Sequence, residues 1–145
     1  MQATAKILIV DDDPEIRALL GEELHDLGHE SFHASDGIQA LSLVRREQPD
    51  LILLDLRLPG EDGFSVLVRL QRIAEVAHIP VIVFSGMRSP ATEECALRLG
   101  AREFVQKSLS GNDLAEAIAR ALDGPAPDLA QPPVSQLPVA AQVSP

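Results

Sequence analysis

The ordered pattern of the chain starts with Ile7-Leu8-Ile9-Val10-Asp11-Asp12-Asp13-Pro14, four apolar residues that run straight into three acids and a proline. The two halves of this octapeptide ask for different structures. An unbroken β-branched and leucine run suits a strand buried on both faces, as in a parallel sheet. Asp followed by Pro suits a helix start: the Asp13 carboxylate can accept from free N–H groups, and a proline at the first helical position has no N–H to lose. A strand passing so quickly into a helix is the front of a β-α unit.

The alternation repeats outward from there. Strands are predicted over 6–10, 30–33, 51–54, 81–84 and 103–106. The second and fifth are more mixed in polarity, which places them nearer an edge. Helical spacing of three and four marks the segments between and after them. The stripes are Ile16, Leu19, Leu20, Leu24 and Leu27; Ile38, Leu41 and Val44; Phe64, Leu67, Leu70 and Ile73; Ala96, Leu97 and Leu99 within 91–99; and Leu114, Ala117, Ile118, Ala121 and Leu122. Ser89-Pro90 repeats the cap signal, Ser110 with Asp113 forms a weak capping box, and Gly28, Gly100 and Gly124 follow apparent helix ends. Five β-α units in a row imply an α/β fold with a parallel sheet and right-handed crossovers.

The 145 residues suit one domain. A net charge of −10 argues against direct nucleic-acid binding, because no basic surface is available to neutralise phosphates. The single cysteine, Cys95, excludes an intrachain disulfide and fits a reducing cytoplasm. The apolar run 7–10 is too short for a signal peptide, and nothing approaches the roughly 20 apolar residues of a membrane span. A soluble, cytoplasmic protein without a membrane partner is expected. Composition changes at Gly124: residues 124–145 hold six prolines and no lysine, arginine or aromatic residue. The expected division is a domain over 1–123 and a Pro/Ala-rich disordered tail or linker over 124–145.

In an open parallel sheet, ligands bind beyond the carboxyl ends of the strands. Asp11, Asp12 and Asp13 follow the first strand, Asp55 the third, Ser85 the fourth and Lys107 the fifth. Two carboxylates about 4 Å apart at an effective dielectric of 20 repel by roughly 4 kcal/mol. They take up a proton or bind a cation. Lys107 offsets part of that charge but not three acids. Mg²⁺ suits one or two carboxylates with waters and a phosphate. Acids, a lysine, a hydroxyl and Mg²⁺ point to phosphoryl transfer. Taken singly, Asp13 is a helix cap, Asp11 and Asp12 are loop residues, Ser85 a turn residue and Lys107 a solvated charge. Asp55, closing an apolar strand where aspartate fits poorly, is the least ordinary of them.

Residues 7–14, Leu53-Leu54-Asp55-Leu56-Arg57-Leu58-Pro59-Gly60-Glu61-Asp62-Gly63 and Val81-Ile82-Val83-Phe84-Ser85-Gly86 together resemble response-regulator receiver domains of two-component systems. The likeness covers about residues 5–123. It implies a flavodoxin-like, doubly wound (βα)5 sandwich of three layers with strand order 2-1-3-4-5. It implies that Asp55 accepts a phosphoryl group from a sensor histidine kinase or histidine phosphotransfer protein. Asp12, Asp55 and the backbone carbonyl of Arg57 would ligate Mg²⁺, with Asp11 acting through a metal-bound water. Ser85 and Lys107 would bind phosphoryl oxygens, and Phe104 would move inward with Ser85 as a switch. A homodimer through the fourth helix, fifth strand and fifth helix is a further implication. Such a protein catalyses only its own phosphotransfer and autodephosphorylation, so it is not an enzyme in the usual sense.

Three positions depart from that pattern. Ser108 stands where the family usually has proline, often with a cis bond. A cis bond before a non-proline costs about 2.5–4 kcal/mol, which puts the reach of Lys107 in question. Glu61 adds a negative charge near the metal loop, and the long basic Arg57 is expected to approach the phosphoryl group or a nearby carboxylate. The alternative is a pseudo-receiver, an interaction module with the fold but no phosphorylation. A phosphatase of the haloacid dehalogenase type fits less well, since Glu15 stands where that family needs threonine.

Overall fold

The computed structural model describes residues 4–58, 60, 62–86, 89–107 and 112–123. Strands and helices alternate: β1 (Lys6–Val10), α1 (Pro14–Asp26), β2 (Glu30–Ala34), α2 (Gly37–Glu47), β3 (Leu51–Leu54), α3 (Gly63–Arg72), β4 (Val81–Ser85), α4 (Pro90–Arg98), β5 (Glu103–Gln106) and α5 (Asn112–Asp123). The strands form one sheet in the order β2-β1-β3-β4-β5, and every pair is parallel. The three continuous apolar runs occupy the centre. The two mixed strands, β2 and β5, are the edges.

Side chains alternate across a strand, so each central strand feeds two cores. Leu8, Val10, Ile52 and Leu54 meet Ala40 and Val44 of α2, Val66, Leu67 and Leu70 of α3, and Ala96 of α4. Ile7, Ile9, Leu51 and Leu53 meet Leu20 and Leu24 of α1 and Leu114, Ala117 and Ile118 of α5. The result is a three-layer sandwich. Burying a large aliphatic side chain contributes about 1.5–3 kcal/mol, so these two cores carry the fold.

The helix starts are built as local chemistry requires. Asp13 accepts from the Glu15 N–H and Ser89 from the Thr92 N–H, each followed by proline. Asp36 and Asp62 cap α2 and α3 in the same way, a role not anticipated from sequence. Gly28 and Gly100 end α1 and α4 at φ of +91° and +113°, where a side chain would be strained. The expectations at Ser110 and Gly124, and the whole of 124–145, lie outside the described residues.

Four stripe residues are corrected. Leu19, Leu27, Ile38 and Leu97 are 63%, 43%, 77% and 43% exposed. In α2 the sheet-facing line is Gly37, Ala40 and Val44, and Ile38 lies 200° around the helix from Ala40. Small residues carry little hydrophobic signal, so the leucines and isoleucine beside them dominated the pattern. β2 and β4 each run one residue further than expected, to Ala34 and Ser85. Among the described residues, no helix is long and apolar enough to cross a membrane.

Candidate functional site

The parallel register delivers the polar residues to one edge. The Asp55 N–H donates to the Val10 carbonyl (2.9 Å) and the Asp11 N–H to the Ala34 carbonyl (3.1 Å), so both acids extend the ladder just past their strands. The Lys107 N–H donates to the Ser85 carbonyl (2.7 Å), which carries the lysine back to the same edge. Asp11, Asp55 and Ser85 are buried, whereas Asp12 is exposed. Carboxylate oxygens of Asp11, Asp12 and Asp55 lie within 4.8 Å of one another.

Lys107 reaches the acids. Its Nζ is 2.7 Å from Asp11 Oδ2 and 3.4 Å from Asp55 Oδ2, and it stands 5.9 Å from the centre of the Phe84 ring. The doubt raised by Ser108 is thereby removed for the lysine, although the Lys107–Ser108 bond and Glu61 lie outside the described residues. Phe104 is half-buried against the core, paired in register with Val83. Arg57 is exposed, and among the described residues its side chain pairs with no carboxylate. Its backbone N–H instead donates to the Asp55 carboxylate.

The electrostatics follow from this crowding. Burial pushes the Asp55 carboxyl above its usual range; the Asp11 charge adds to the effect, while Lys107 and the Arg57 N–H oppose it. Burial works against the Lys107 charge, but the hydrogen bond to Asp11 and the charges of Asp55 and Asp11 outweigh it and hold the ammonium above the ordinary lysine value. The donor set suits a hard divalent ion. Six oxygens at about 2.0–2.1 Å from Mg²⁺ place opposite ligands about 4.2 Å apart. Three oxygens inside a 4.8 Å span fit one such ion.

Two further residues shape the site and were given no role from sequence. At Gly63 an added Cβ would sit 2.6 Å from both the Asp55 carbonyl oxygen and the Leu56 Cα, so only glycine lets α3 start this close to the β3 end. Its N–H donates to the Leu56 carbonyl (2.8 Å). Arg17 Nη1 donates to the Asp11 carbonyl oxygen at 2.6 Å. Gly63 stands inside the run from Leu53 to Gly63 that carries the family pattern, whereas a lone arginine in α1 carries no signal until the fold is known.

The fold and the acidic edge together define a doubly wound α/β domain with three carboxylates gathered at the carboxyl ends of its strands. The chain matches the response regulator receiver domain family over residues 7–119 and belongs to it. It is thus a receiver domain of the two-component class. Receivers bind Mg²⁺ in an acidic pocket, interact with histidine kinases or phosphotransfer proteins, and generally act as switches rather than enzymes. Sporulation initiation phosphotransferase F of Bacillus subtilis (strain 168) is 38% identical over 117 residues, 81% of this chain and 93% of that protein. The probable transcriptional regulator ycf27 of Porphyridium aerugineum is 34% identical over 117 residues, and this chain spans 48% of its length. The BeF3-activated N-terminal receiver domain of Klebsiella pneumoniae RstA aligns with a TM-score of 0.76 at 28% identity, covering 81% of this chain and 98% of that one.

Proposed function

We propose that this receiver is a phosphoacceptor that takes a phosphoryl group onto Asp55 from a histidine kinase or histidine phosphotransfer protein in the cytoplasm. The observation that carries the reading is the buried Asp55 carboxylate, with Lys107 Nζ at 3.4 Å and the Asp11 and Asp12 carboxylates beside it. A carboxylate oxygen of Asp55 attacks the phosphorus of a phosphohistidine. The P–N bond breaks, its electron pair stays on the ring nitrogen, the imidazole, already protonated on its other nitrogen, leaves as a neutral ring, and an acyl phosphate remains. Asp11, Asp12, Asp55 and the Arg57 carbonyl would hold Mg²⁺, which when bound supplies positive charge to the acids and to the phosphoryl oxygens. Lys107 offsets the negative charge that gathers as the two anions meet and holds one phosphoryl oxygen in line. Ser85, at the tip of β4, donates its hydroxyl to another.

The switch follows from the same bonds. The new phosphoryl oxygens draw on Ser85 and Lys107, which terminate β4 and β5, and Phe104 on β5 moves inward. The α4–β5–α5 face changes with them and is the surface for output or homodimer formation. Moving an equilibrium from 1:99 to 99:1 takes roughly 5.5 kcal/mol. Two or three charge-assisted hydrogen bonds, at about 1.5–3 kcal/mol each, reach that order. On composition, the receiver is assigned to 1–123 and a tail or linker to 124–145.

Acetyl phosphate with Mg²⁺ tests the reading. Intact-mass spectrometry should show one added phosphoryl group on the wild type and none on Asp55→Asn. No label on the wild type, from acetyl phosphate or from a phosphohistidine donor, would leave the pseudo-receiver as the better description.

A further inference from the structure

Asp11 is tied down at each of its polar groups. Its N–H donates to the Ala34 carbonyl, Oδ1 accepts from the Asp13 N–H at 2.9 Å, and Oδ2 accepts from Lys107. Its carbonyl oxygen accepts from Arg17 Nη1 at 2.6 Å. Asp12 differs: it is exposed, and its carboxylate has no hydrogen bond or ion pair among the described residues. What aims Asp12 is therefore the backbone that leads into it. The carbonyl of Asp11 and the N–H of Asp12 belong to one rigid peptide plane. A donor that holds the Asp11 oxygen sets the plane from which Asp12 projects.

We infer that Arg17 is a positioning residue for the cation pocket: by gripping the Asp11 carbonyl from α1, it sets the Asp11–Asp12 peptide so that both carboxylates share one divalent ion. The inference rests on the reading of Asp11, Asp12 and Asp55 as that pocket. Arg17 sits one turn into α1, where its own N–H bonds to the Asp13 carbonyl at 3.1 Å, so its base is fixed by the helix. One turn further along α1, Gly21 leaves room for the ring of His33 on the edge strand, 3.3 Å from where a Cβ would stand. Helix and acidic loop thus meet at one side chain, held by a charge-assisted bond of the stronger kind.

The sign of one measurement separates positioning from mere charge. A guanidinium beside a cation pocket repels the ion, so if Arg17 were only a nearby charge, removing it would tighten Mg²⁺ binding. If it positions the loop, removing it loosens binding despite the relieved repulsion. The experiment is calorimetric titration of the full chain with MgCl2 at fixed ionic strength, with the metal-free melting temperature recorded alongside. Arg17→Met, which keeps the apolar stem, should bind about tenfold more weakly, the loss typical of residues that orient metal ligands. Arg17→Lys keeps the charge on a single donating nitrogen with a shorter reach and should lose about threefold. Should the methionine variant not fold, the lysine variant carries the test alone. Wild-type affinity in Arg17→Lys, or equal or tighter binding in Arg17→Met, overturns the inference and leaves the pocket standing. A wild type that binds no Mg²⁺ overturns both.

Discussion

At the amino end of the strands Lys6 meets Glu47 and Asp50, whereas at the carboxyl end Lys107 faces three aspartates. Lys6 Nζ donates to the Glu47 carbonyl (2.8 Å) and lies 3.8 Å from its carboxylate, while the Lys6 N–H donates to Asp50 Oδ2 (2.8 Å). The buried His29 accepts from the Ala5 N–H at 3.1 Å. Donors and acceptors there answer one another, and the partners are partly in water, where such pairs contribute little either way. At the other end Asp11 and Asp55 are buried with Asp12 beside them, and Lys107 cannot neutralise all three. The difference teaches where to look for chemistry. One end of the sheet is closed by its own residues, and the other is left short of positive charge.

Three substitutions would break or sharpen that contrast. The largest effect is expected at Gly63, where an alanine Cβ would press on backbone atoms of Asp55 and Leu56 that cannot swing away. Overpacking of this kind costs about 1–3 kcal/mol. Gly63→Ala should therefore lower the melting temperature by roughly 3–12 °C and slow phosphoryl labelling of Asp55; a melt and label rate both like the wild type would show that α3 can draw back freely.

Next comes the charge of Asp55 itself. Burial raises its carboxyl, so the folded chain holds that proton more tightly than the unfolded chain. Stability is then lost as pH rises from the ordinary carboxylate range through the raised value, and above that window the ionised Asp55 is a net cost. Without divalent cation at neutral pH, Asp55→Asn should melt a few degrees higher than wild type. The gap should shrink in acid below the ordinary range and close again when Mg²⁺ stabilises the wild type by mass action. A lower melting temperature for Asp55→Asn in chelator would contradict the uncompensated charge. The smallest effect is expected at the closed end: Asp50→Ala removes one exposed hydrogen bond, about 0.5–1 kcal/mol, and should leave Mg²⁺ affinity and label unchanged. An altered Mg²⁺ affinity would mean the two ends are coupled.

Much of this was legible before any coordinates. Unbroken runs such as Ile52-Leu53-Leu54 mark central strands because residues covered on both faces must all be apolar. The Asp-Pro and Ser-Pro pairs mark helix starts because their chemistry is local. Asp55 was visible because an acid at the end of an apolar strand is out of place. Leu19 and Ile38 misled because periodicity marks an apolar stripe but not how much of it the sheet covers. Gly37 and Ala40, which do face the sheet, are too small to register in it.

By itself, the sequence determined the number, kind and order of the elements and the family to which they belong, since these depend on neighbours within a few residues. Only the tertiary structure decided that Lys107 reaches across to Asp11, that Gly63 alone fits against Asp55, and that Arg17 grips the acidic loop. Those contacts join separate segments at distances of a few ångströms, and such distances are set by how strands stack and helices lean rather than by any local pattern of residues.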